Sequence, residues 1–232
     1  MRGCAPRAQC CKVASFLPVV PLGGLAGIFL WPRGSALADR VVVFIDYQNV
    51  HGWARRMFFP TGSNPAQGHI DPLRLAQLLA KRRNRQSVVE GVRVYRGRPN
   101  PQHQAGAAAA NDRQTEAWRL SSLVTVIRRP LRYPFDYPAT PATEKGIDVA
   151  LAVDVVAMGI REEYDAAIVV SSDTDLMPAI ETVYANKLGH IELATWAGAH
   201  RLRFPRTQLP YCHFVSEPEF RTIEDQTDYT LP

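Results

Sequence analysis

At 232 residues the chain is long enough for one well-developed core and too short for two large domains. Hydrophobic residues make up 46% and charged residues 21%, a globular composition that excludes a disordered or fibrous chain. The formal charge of +5 is uneven: basic before Asp39, acidic from Ser216 onward, and basic in the body between, which suits an anionic partner.

The first 39 residues place basic side chains ahead of an apolar run, Val13 to Trp31, followed by Ala36-Leu37-Ala38, the outline of a secretory signal. Pro18, Pro21, Gly23, Gly24 and Gly27 interrupt that run, which is also marginal in length for a membrane span. The expectation is therefore a disordered extension or a start codon placed upstream of the true one. The protein is then cytoplasmic with no stable membrane association, export being the alternative. Cys4, Cys10 and Cys11 fall in this segment and leave Cys212 alone in the body. One thiol forms no internal disulfide, and no C-x-x-C pair suggests zinc, both of which fit a reducing compartment.

The body opens at Arg40. Val41-Val42-Val43-Phe44-Ile45 predicts a strand buried on both faces, followed by a short helix through Trp53 and Met57 and a Pro/Gly-rich loop from Pro60 to Gly68. Asp71-Pro72 supplies an N-cap and a first-turn proline for a helix to about Asn84. Val88 to Tyr95 reads as a second strand, Ala105 to Leu120 as a helix, and Leu123 to Ile127 as a third strand. A Pro-rich loop with Tyr133, Phe135 and Tyr137 leads to a helix over Ile147 to Met158 and a fourth strand, Ala166 to Val170. A helix from Leu176 to Lys187 stops at Gly189, and His190 to Thr195 and Tyr211 to Val215 complete the strands. This alternation implies a single α/β domain over 40–215, a doubly wound, mostly parallel sheet flanked by helices, with 216–232 as an acidic tail.

Ligands of open α/β sheets bind at the carboxyl ends of the strands, and two of these strands end in acids. The first ends in Asp46, with Asn49 one turn on; the fourth runs into Ser171-Ser172-Asp173-Thr174-Asp175. Asp148 follows Glu144-Lys145-Gly146 at a helix start, which points to the same edge. Clustered oxygen ligands suit a hard cation such as Mg²⁺ or Mn²⁺, which offsets repulsion between the carboxylates and activates water for attack on phosphorus. Each acid also has a structural alternative. Asp173 can cap the following helix, Asp148 can answer a helix dipole, and Asn49 can bond its own turn. Asp46 is harder to explain so, because an acid straight after five buried apolar residues is costly. Asp154, about 120° round the helix from Asp148, faces elsewhere and reads as a structural hydrogen-bonder.

Together, Phe-Ile-Asp-Tyr-Gln-Asn-Val from Phe44, Lys-Gly-Ile-Asp-Val-Ala-Leu-Ala-Val-Asp from Lys145 and Val-Ser-Ser-Asp-Thr-Asp-Leu from Val170 resemble the three signature segments of the NYN domain family. The resemblance covers roughly 40–196 and implies a PIN-like fold and metal-dependent ribonuclease activity, endonucleolytic by preference. It implies metal-site roles for Asp46, Asp148, Asp173 and Asp175, with Asn49 in support and RNA as the partner. Lys145, Arg96, Arg98, Arg128, Arg129 and Arg132 flank the same edge as candidates for the RNA backbone, and the aromatic loop could stack unpaired bases of a single strand. A homodimer is compatible with the sequence. Two other readings stand beside this one: a non-catalytic RNA-binding protein of the same fold, and a haloacid-dehalogenase-type phosphatase. The latter fold places an Asp-x-Asp pair on its first strand, where this chain has Asp46-Tyr47-Gln48.

Overall fold

The computed structural model describes residues 38–204 and 210–231. The extension with its apolar run and Cys4, Cys10 and Cys11 lies outside the described residues. The body is organised about β1 (Asp39–Asp46), whose apolar run leaves no polar face and is buried on both sides. It pairs in parallel with β2 (Ser87–Arg98) on one side and β4 (Ala166–Val170) on the other. Beyond β2 lies β3 (Val124–Pro130); beyond β4 lie β5 (His190–Trp196) and β6 (Tyr211–Val215). The result is a six-stranded sheet in the order β3-β2-β1-β4-β5-β6 with every pairing parallel.

Alternation along β1 divides the core into two layers. Val41, Val43 and Ile45 join a layer with α1 (Tyr47–Phe58), α2 (Pro72–Arg82), Trp118 at the end of α3 (Ala105–Trp118) and α6 (Glu217–Ile223). Val42 and Phe44 face the opposite layer, built on α4 (Ile147–Ile160) and α5 (Met177–Ala185). In α2, the side chain of Asp71 accepts from the amides of Leu73 and Arg74, as the Asp-Pro start predicts. A 3-10 turn, Thr174–Leu176, precedes α5, which carries Pro178 in its first turn.

The acidic end of the chain differs from the expectation of a tail outside the domain. Ser216 and Glu219 form a capping box, Glu217 and Glu219 occupy the first turn of α6, and Phe220 and Ile223 are buried against the β1 layer. Acids that looked like tail composition are the start of a packed helix. The described residues from Ala38 onward belong to one compact unit.

Candidate active site

After β3 the chain returns through α4 to β4, on the far side of β1, so the direction of strand addition reverses between β1 and β4. The crevice at the carboxyl ends of these two strands is the topological switch point of the sheet.

Asp46 closes β1 there and is only 8% exposed. Its Oδ2 accepts from Ser171 Oγ at 2.8 Å, and its Oδ1 accepts from the Asn49 amide at 3.3 Å. The side-chain oxygen of Asn49, Oδ1, accepts from the Ser172 amide at 3.1 Å and from Ser172 Oγ at 3.0 Å, tying the exit of β1 to the exit of β4. Ser171 Oγ also accepts from the Asp173 amide at 3.0 Å. Burial pushes the Asp46 carboxyl up, the Ser171 and Asn49 bonds oppose this, and the negative charges of Asp173 and Asp148 push it further, to about 6.

Asp173 is half-buried, and its Oδ1 accepts from the Asp175 amide at 3.0 Å. One of its oxygens therefore caps the 3-10 turn, and the structural role and a role in the site are compatible. Asp175 lies exposed on that turn. Asp148 is in the first turn of α4, whose N-cap is Gly146. With φ of 72° that position is left-handed, favours glycine, and offers no side-chain cap, so the amide end of α4 stays open.

A further carboxylate belongs to this group and was not selected from sequence. Glu144 accepts a hydrogen bond from the Gly97 amide. Gln48, in the amide orientation that satisfies both groups, donates to it at 2.7 and 3.0 Å. Burial raises the Glu144 carboxyl; the Gly97 bond and Arg96 oppose this, while Asp46 and Asp148 add to it. A Cβ at Gly97 would lie 2.8 Å from Glu144 Oε1, so the close approach requires glycine. No local motif marks Glu144, because its partners lie 47 and 96 residues away.

The basic candidates divide. Arg96 turns inward over the rings of Tyr47 and Trp118, 4.8 and 5.3 Å from their centroids, and donates to Gln114 at 2.6 Å. Burial lowers its pKa. Arg98 pairs with both oxygens of Asp112, at 2.9 and 2.7 Å, and Arg128 pairs with the same carboxylate. Arg129, Arg132 and Lys145 are exposed, with no ion pair among the described residues, and Arg129 lies against Gly146 at the start of α4. Asp154 accepts from Arg93 at 2.6 Å and from the Tyr95 hydroxyl at 2.7 Å, a structural arrangement on the flank of α4.

The donor chemistry is all oxygen and fits a hard divalent cation. Among the described residues no three His, Cys, Asp or Glu side chains form a ready-made ligand set. The fit is therefore to the Mg²⁺ mode, in which one or two carboxylates bind directly and water completes the octahedron. Also among the described residues, no helix is long and apolar enough to cross a membrane.

No curated protein matches the chain. Among solved structures, it is similar to a crystal structure of a protein of unknown function from Vibrio parahaemolyticus RIMD 2210633. The two share 15% identity over 70% of this chain and 85% of that one, with a TM-score of 0.48. Residues 40–199 match the model of the NYN domain, a span that includes all three acidic segments and the sheet from β2 to β5. The chain belongs to the NYN domain family, whose PIN-like fold is that of a nuclease.

Proposed function

We propose that the protein is a divalent-metal-dependent ribonuclease, acting in the cytoplasm as an endonuclease on single-stranded RNA. The observation that carries this reading is Asp46: a buried carboxylate, already bonded to Ser171 and Asn49, that Asp173 and Asp148 still drive toward protonation. With a value of about 6 the group is mostly ionised at neutral pH, at a cost in folding stability that a bound cation would offset, and a protein that merely held polyanions would gain nothing from it.

Asp46, Asp148 and Asp173 would hold the ion, one or two of them directly and the rest through its water, with Asp175 reaching it directly or through water. Bound Mg²⁺ or Mn²⁺ supplies charge neutralisation at the phosphate and activates water as the nucleophile. Asn49 keeps the exits of β1 and β4 in register and so orients Asp46 against Asp173. Glu144 anchors the entry to α4 and holds the backbone that carries Asp148. Arg129 and Lys145, at the open amide end of α4, receive the phosphate backbone, with Arg132 extending the path. Every group named comes from one chain, so the reading requires no second copy.

The test is cleavage of an unstructured RNA by the full chain with Mn²⁺, with Mg²⁺ and with EDTA, alongside Asp46→Asn and Asp173→Asn. Cleavage should need the cation and vanish in both variants while their circular dichroism is unchanged. RNA retained without being cut would favour the non-catalytic RNA-binding alternative; cutting in EDTA would overturn the metal reading.

A further inference from the structure

The segment between β3 and α4 forms an arm rooted at the acidic crevice and braced against the β2–α3 connection. At its base Leu131 donates to the Arg98 carbonyl at 3.0 Å, and Arg132 and Thr143 exchange backbone bonds of 2.8 and 3.0 Å. Thr143 is followed by Glu144, which belongs to the acidic group. Tyr133 of the arm stacks on His103 of the β2–α3 connection with centroids 4.3 Å apart and meets Tyr137, within the arm, edge-on at 4.9 Å. The Tyr133 hydroxyl donates to Gln104 at 2.7 Å and accepts from the Asn100 amide at 2.9 Å. Past the tip, Thr140 Oγ1 donates to Asp136 at 2.6 Å. Bonds within the arm and to the β2–α3 connection therefore fix its shape.

Two of the three aromatic side chains expected to stack bases are thus consumed in holding the arm together. Phe135 is the opposite case. It sits at the tip with its side chain wholly exposed, and no aromatic contact is made by its ring among the described residues. Leaving a phenylalanine ring in water forgoes its burial energy, and among the exposed large apolar side chains of the described residues Phe135 is the most exposed, at 108%. The chain length from Arg132 limits the tip to about 10 Å from the base of the arm. That span is on the order of three stacked nucleotides at about 3.4 Å each. The exposed cations Arg129, Arg132 and Lys145 flank the base of the arm, where Arg132 pairs with Thr143 and Arg129 lies against Gly146, so a phosphate backbone following them runs past the root of the segment that carries Phe135.

We propose that Phe135 is a stacking subsite for one unpaired nucleobase, placed a few nucleotides from the scissile phosphate, and that it selects single-stranded RNA. A base in a duplex is already stacked on its neighbours and presents no free face to the ring, whereas an unpaired base does. Every base has a π-face, so the subsite grips the strand without reading its sequence. This inference rests on the ribonuclease reading for its substrate, but it is measured separately from catalysis.

The experiment uses the full chain with Ca²⁺ in place of Mg²⁺. Three probes are titrated: a single-stranded oligoribonucleotide carrying 2-aminopurine, the same strand with abasic sites, and its perfect duplex. Phe135→Ala should weaken the single strand roughly 5- to 100-fold and abolish quenching of 2-aminopurine, the range expected for one stacked base. Phe135→Trp should restore both, and Phe135→Ala should leave the abasic strand and the duplex unchanged. Since the ring touches no core residue, Phe135→Ala should retain the wild-type melting temperature. Equal binding of the single strand by wild type and Phe135→Ala, or an equal loss on the duplex, overturns the subsite. Cleavage with Mn²⁺ but no dependence on Phe135 would sink this inference and leave the nuclease reading standing. Phe135-dependent binding without cleavage would do the reverse.

Discussion

Asp46 and Glu192 are buried to nearly the same degree, 8% and 5% exposed, in the same sheet, and their surroundings treat them in opposite ways. Glu192 lies near the amino edge of β5. Its Oε1 accepts from Arg83 Nε at 2.8 Å and its Oε2 from His213 Nε2 at 2.7 Å, with His190 at 3.2 Å. Arg83 also reaches Asp39 at 3.0 Å and Ser87 at 2.6 Å, joining the starts of β1, β2 and β5. Burial would raise the Glu192 carboxyl, but bonds from His190, His213 and Arg83 and the Arg83 charge overcome it and hold the group well below the usual carboxylate range. Asp46, at the carboxyl edge, has two neutral donors, no cation among its partners, and two acids nearby. Equal burial with unequal compensation separates a carboxylate that holds the sheet together from one whose charge the protein leaves uncompensated, the group to which we assign the proposed metal.

The largest expected effect tests that contrast at its active end. Asp46→Asn should reduce metal-dependent RNA cleavage to background while raising metal-free stability at pH 7 by up to about 3 kcal/mol. That is the value of about two pH units at about 1.4 kcal/mol each. Denaturant unfolding with EDTA checks the second half; a destabilised variant would mean that Asp46 is held by its hydrogen bonds and is not in excess.

Arg83→Met breaks the comparison from the other end. Removing one partner of a buried pair should cost at least about 3 kcal/mol, because Glu192 and Asp39 lose their shared cation. The melting temperature should fall steeply, yet activity per folded molecule should hold at temperatures where the variant is folded. A selective loss of activity would show that the two edges are coupled.

The pH dependence sharpens the difference further. A raised carboxyl contributes stability that is present below its unfolded pKa, near 4, and is lost as pH rises through its folded value of about 6. Glu192, being depressed, contributes stability present above its unfolded pKa and lost as pH falls through the folded one. In EDTA, Asp46→Asn should therefore remove a fall in stability between about pH 4 and pH 6, and Mg²⁺ should flatten the same fall in the wild type. If Mg²⁺ leaves the profile unchanged, the cation does not answer Asp46.

Smaller effects concern the supports. Asn49→Ala should weaken Mn²⁺ binding, followed by isothermal titration, by roughly 10- to 100-fold, the range for groups that orient a ligand. Smallest is the rim. Arg129→Gln should lower the magnitude of the salt slope of RNA binding by about 0.7, one phosphate contact on a single strand. Arg128→Gln should leave it unchanged, since Asp112 already engages that guanidinium. Equal slopes for the two variants would place the RNA path elsewhere.

Local chemistry made much of the molecule legible in advance. The run from Val41 to Ile45 has no polar face and so must lie inside a sheet, and Asp71-Pro72 caps and starts a helix wherever it occurs. The acids directly after β1 and β4 follow from the same logic, because strand ends in an α/β sheet share an edge. Contacts between distant residues were not legible. Glu144 meets Gly97 and Gln48 only after the crossover from β3 to β4, and α6 reads as an acidic tail until Phe220 and Ile223 find the β1 layer. The fate of each arginine was equally hidden: Arg96 and Arg129 sit at similar places in the chain pattern, but one packs over Tyr47 and Trp118 and the other stands in solvent. Periodicity and capping act within a few residues and are written in sequence order. Charge compensation acts through space, and only the folded sheet determines which carboxylate receives a cation and which is left without one.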